Sequence, residues 1–102
     1  MKQHKNIIHV NSKAAPIVEL DSACRAAYLR FSKEPVKKTV VVDVVGSVVT
    51  MDLDVQGHVV GVELVGVLDF RVDTLLRKAG IRGVSPAMLR NTRYVPATLQ
   101  PT

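Results

Sequence analysis

The residues most able to do chemistry in this chain are acidic, and they fall close together. Asp52-Leu53-Asp54-Val55-Gln56-Gly57 opens like a calcium-binding loop, and Glu63 falls at the twelfth position counted from Asp52. Alternate carboxylates, a glycine for the sharp turn and a closing glutamate are what a hard cation takes from such a loop. Asp43, Asp52 and Glu63 would also share one strand face, with Thr50 between them. A calcium loop of this kind is flanked by helices, whereas both flanks here carry strand patterns. The set reads as a hairpin turn and the wet side of a sheet, and no metal ligand is assigned.

The remaining chemistry-bearing residues do not assemble. His4, His9 and His58 have no ligand spacing with one another or with Cys24, and a zinc site needs four convergent ligands. Gly57, Gly61 and Gly66 fall in turns or strands rather than before a helix, so there is no phosphate-cradling loop. Cys24 has no histidine near it in sequence to serve as a base. Ser22, Ser32, Ser47 and Ser85 all have turn or capping places. No catalytic residue and no cofactor is named.

Charge is the other chemical resource. Residues 1–70 carry eight Lys/Arg and eight Asp/Glu, whereas residues 71–102 carry Arg71, Arg77, Lys78, Arg82, Arg90 and Arg93 against Asp73 alone. The whole net charge of +5 therefore lies in the last third. These six side chains are the candidate contacts for an anion or a nucleic acid, or else a solvated helical face.

The elements that would position these residues can be read from periodicity. Val36–Leu64 is valine-rich and reads as three antiparallel strands joined by turns at Gly46-Ser47 and Gln56-Gly57. Chosen independently, the two turns give three apolar rows: 40/53/60, 42/51/62 and 44/49/64. A slip of one residue would put Asp52 and Glu63 into those rows, so the register is strongly constrained. The opposite face is more polar but includes Val41, Val48, Val59 and Val65, which suggests partial cover by the arm or a second subunit. Upstream, Ile17–Leu20 and the alternating Ala26–Ser32 are two further strands, and Lys33-Glu34-Pro35 ends the second.

After Gly66 the period changes. Val72, Leu75, Leu76 and Ala79 mark one helical face, with Asp69 or Asp73 as cap and Gly80 as terminator. Ser85-Pro86 starts a short second helix, Pro86–Arg90. From Thr92 the chain is extended.

Part of this pattern bears a resemblance to a known family. Asp21…Tyr28-Leu29-Arg30-Phe31-Ser32, then V-V-D-x-x-G at Val41–Gly46, then M-D-L-D-x-x-G-H-V-V-G-V-E-L at Met51–Leu64, resembles the small bacterial family called domain of unknown function 2283. The resemblance spans roughly residues 17–70. Ala23-Cys24-Arg25 stands where that family has Glu-Ala-Asp, and the helical segment after Leu68 is longer than the family core. The resemblance implies a β-meander with a helix; the family has no established activity, so it supplies no mechanism.

The chain of 102 residues is long enough for one core. The reading is α+β: a four- or five-stranded antiparallel β-meander with one or two C-terminal helices packed on one face. Residues 1–15 form a flexible basic arm, with at most a short strand at Asn6–Val10; residues 16–91 form a single domain and 92–102 an extended tail. A single cysteine, with no leader-like or membrane-spanning apolar run, leads to the expectation of a cytoplasmic protein without a membrane partner. The expected function is a non-enzymatic small interaction module, a homodimer or bound to another protein. The alternative is a nucleic-acid-binding accessory protein that uses the basic C-terminal third.

Overall fold

The computed structural model describes residues 8–11, 14–21, 23, 25–44, 47–66 and 71–96, with 43, 44, 47 and 48 through the backbone only. Along these residues run β1 (Ile8–His9), β2 (Ile17–Asp21), β3 (Ala26–Arg30), β4 (Lys38–Val44), β5 (Ser47–Leu53), β6 (Val59–Val65), α1 (Val72–Ala79), β7 (Ile81–Arg82), α2 (Pro86–Arg90) and β8 (Arg93–Pro96). The fold is α+β. One sheet of six strands has the order β4-β5-β6-β3-β2-β8, and β1 pairs with β7 in a separate parallel ribbon.

Six strands replace the expected four or five because the tail contributes one. Residues 93–96 lie parallel to β2, with Val18 opposite Tyr94. Residues 8–10, placed by the sequence in a flexible arm, are also held. Ile8 N–H donates to the Gly80 carbonyl at 3.0 Å, Val10 N–H donates to the Arg82 carbonyl at 2.8 Å, and Val10 is buried. β4, β5 and β6 form the meander. β3 then pairs with β6 rather than β4, in Greek-key order, so residues 31–37 carry the chain across to the far edge.

The meander register differs from the expected one by two residues on one side. Val42 faces Val49 and Val40 faces Met51, where the sequence placed Val42 opposite Met51 and Val40 opposite Leu53. Ser47, assigned to the turn, already pairs with Val44 as a strand residue. A two-residue shift keeps each side chain on its face, so the pattern of burial survives the error. Between β5 and β6 the pairs 49/64 and 51/62 are as expected, but a bulge follows Asp52 and sets Leu53 against Val59 rather than Val60. The bulge turns Val59 inward, where it is buried, and so removes it from the polar face. The apolar rows of the sheet are therefore 42-49-64-27-20 and 40-51-62-29-18.

Those rows meet the helices. Val18, Ala27, Leu29, Val49, Met51, Val62 and Leu64 share one core with Val72, Leu75, Leu76 and Ala79 of α1, Ile81 of β7 and Met88 of α2. α1 occupies the expected residues and ends at Gly80, whose φ of 77° supplies the left-handed C-cap. Its N-cap is Arg71 with no side-chain cap bond, so Asp73 does not have the capping role expected of it; Asp69 lies outside the described residues. α2 also occupies its expected residues, and Ser85 Oγ accepts from Met88 N–H at 3.2 Å. Among the described residues no helix is long and apolar enough to cross a membrane.

Candidate functional site

The six basic residues begin on α1 and follow the chain to β8. Burial of Val72, Leu75, Leu76 and Ala79 leaves Arg71, Arg77 and Lys78 exposed. Gly80 reverses the chain into β7, where Ile81 points in and Arg82 is exposed. The Ser85 cap then starts α2, which presents Arg90.

Four of the six come together around two adjoining clefts. Arg71 and Arg90 line the first, of about 380 Å³, with Val72, Asp73, Leu89 and Tyr94. Arg77 and Arg82 line the second, of about 240 Å³, which shares Asp73 and Leu89 with the first. Lys78 is exposed but lines neither cleft. Arg93 lies one residue from Tyr94 on β8, so strand alternation sends it to the other side of the sheet. The basic third is thus a four-arginine cluster rather than a stripe of six.

Asp73 sits where the two clefts meet. Arg71 grips it with a fork, Nε to Oδ1 and Nη2 to Oδ2, both at 3.2 Å. The Arg71 hydrogen bond holds the Asp73 carboxyl below the usual carboxylate range, and the same bond raises the guanidinium further. Arg82 and Arg90 have no ion-pair partner among the described residues. Sequence reasoning missed Tyr94 as part of this site. Tyr94 is 58% exposed, and what places it is the pairing of β8 with β2, a contact distant in the chain.

The acidic residues are engaged elsewhere. Asp54 closes the β5–β6 turn: its Oδ1 accepts from Gln56 and His58 N–H, each at 2.9 Å. Asp52 faces the other side of the sheet, accepting from Tyr28 Oη at 2.7 Å and from Thr39 Oγ1 at 2.6 Å. Among the described residues no three His, Cys, Asp or Glu side chains are grouped to hold a metal ion. Cys24, Ser22 and His4 lie outside the described residues, as does the side chain of Asp43.

Tyr28 organises this open face. Its ring lies across Gly61, beneath the Arg30 guanidinium at 5.0 Å, and Arg30 Nη2 reaches Glu19 Oε1 at 3.1 Å. Burial, then the Asp52 hydrogen bond, push the phenol well above its ordinary value, so it is a protonated donor at neutral pH. A Cβ on Gly61 would overlap the phenol ring. Gly61→Ala is therefore expected to unseat Tyr28 and cost about 1–2 kcal/mol in urea unfolding. In a Tyr28→Ala background the same change should be neutral or stabilising, since alanine suits a strand better than glycine. An additive double-mutant cycle would show that the seat carries no energy.

A smaller polar recess of about 270 Å³ is lined by Asn11, Ser32, Glu34, Asp54, Gln56, His58 and Val59. His58 Nδ1 is buried there without a hydrogen bond and is 3.9 Å from Asp54 Oδ2.

No protein-family model, curated protein or solved structure matches this chain.

Proposed function

We propose that this chain is a non-enzymatic interaction module that works as a homodimer through the outer edge of β4, which no described strand covers. The observation that carries this reading is the contrast between the two edges of the six-stranded sheet. β8 is four residues long, begins with Arg93 and ends with Pro96, which cannot donate to a further strand. β4 is seven residues long, has no proline and runs Val40-Val41-Val42 through its centre. Val41 is 73% exposed. Short, proline-bearing edges resist pairing, while long apolar ones invite it.

An antiparallel pairing of β4 with a second copy is self-complementary, as a two-fold interface requires. With Val41 opposite Val41 of the second copy, Val40 meets Val42, and like faces of the two sheets stay on one side. The pairing satisfies the amides and carbonyls of β4 that point away from β5. The Tyr28 phenol is committed to Asp52 rather than to a substrate, which fits a binding role.

Sedimentation of the intact chain should give twice the monomer mass at micromolar concentration. Val41→Lys should leave the monomer as stable as the parent, because the position is exposed, and should shift the mass to that of one chain. A parent that sediments as a monomer would remove this reading.

A further inference from the structure

We infer that the four-arginine cluster and Tyr94 form a binding site for single-stranded nucleic acid, on the helical side of the molecule and separate from the β4 edge. Two independent features coincide there. The first is charge: Arg71, Arg77, Arg82 and Arg90 face two joined clefts whose described lining includes a single carboxylate, Asp73. Guanidinium groups grip phosphate oxygens as a fork and shed counterions when they do. The second is the exposed ring of Tyr94 in the same cleft as Arg71 and Arg90. An aromatic face beside several arginines lets bases stack while the backbone follows the charges.

The ligand class follows from what the helices cannot do. Reading a duplex in its major groove takes a helix that projects its side chains into the groove. α2 has five residues with Met88 buried, and one face of the eight-residue α1 is buried in the core. Neither projects as a recognition helix. A single strand needs no such element, because its bases are free to leave the stack and lie on Tyr94.

Asp73 gives the site an internal competitor. Its carboxylate occupies the Arg71 fork in the position a phosphate would take. Removing that charge should free Arg71 and tighten binding, an effect opposite in sign to the loss of any arginine.

The experiment is fluorescence anisotropy of a short labelled oligo(dT) with the intact chain, between about 50 and 200 mM salt. The parent should bind with affinity that falls steeply with salt. Arg82→Ala/Arg90→Ala should flatten the slope of log K against log salt by about two. Tyr94→Ala should weaken binding roughly tenfold, with Tyr94→Phe retaining the parent affinity. Asp73→Asn should tighten binding about two- to fivefold. Melting temperatures of all variants should match the parent, since each altered side chain is on the surface. Absence of binding at about 50 mM salt would overturn the inference. So would equal affinity for a duplex of the same length, or a Tyr94→Ala protein that binds as tightly as the parent. Val41→Lys should bind like the parent, so failure of the dimer reading and failure of this one are distinguishable.

Discussion

Leu29→Ala should cost about 3–4 kcal/mol of folding stability, a large share of the roughly 5–15 kcal/mol that a domain of this size has. Leu29 has no accessible surface and lies in β3, between Val62 of β6 and Val18 of β2. Its row continues to Met51 and Val40, and the helices close over that row. The cavity cannot collapse easily, because strands on both sides are fixed by their ladders and the helices are anchored by four buried residues of α1. Equilibrium urea unfolding measures the loss. A change below about 1 kcal/mol would mean that the helical layer does not seal this row.

Gly83→Ala should be nearly as damaging, for a backbone reason. Gly83 has a φ of 95°, a region that side chains rarely enter. A Cβ there would also stand 2.7 Å from the Val10 carbonyl oxygen, and that segment is tied to β7 by the Val10–Arg82 bond. Strain and clash together are expected to cost about 2–4 kcal/mol, and the chain's simplest relief is to release β1. Hydrogen exchange should then show the amides of Ile8 and Val10 losing protection well before those of β5 and β6. Retained protection at Val10 would contradict the account.

The features that sequence revealed are those whose causes are local. α1 was legible because Val72, Leu75, Leu76 and Ala79 repeat at helical spacing, and Gly80 and Ser85-Pro86 are strong boundary signals. The alternation of Ala27, Leu29 and Phe31 likewise showed which face of β3 is buried. The register of β4 on β5 was missed by two residues because the alternating pattern is blind to even shifts. The bulge after Asp52 left no mark, since Val59 and Val60 are the same residue type. β8 escaped notice because its pairing with β2 is parallel and remote, and Pro96 argues against a strand.

The same distance along the chain explains the candidate site. The arginines were visible as an excess of charge, but their division into four gathered residues and two outliers depends on how α1, β7 and α2 stack. Tyr94 joins them only once β8 is in the sheet. Tyr28, Arg30 and Asp52 were all motif residues, yet their convergence over Gly61 follows from β3 pairing with β6.

The parallel pairing of β8 with β2 also sets a timetable for folding. As the chain leaves the ribosome, residues 17–65 can assemble five of the six strands in order. β2, however, keeps a bare edge until residues 93–96 have been made. During that interval the nascent protein has two open edges, one of them transient. A chain stalled or cut before Arg93 would keep that second edge, and would be the form most prone to adding strands from its neighbours.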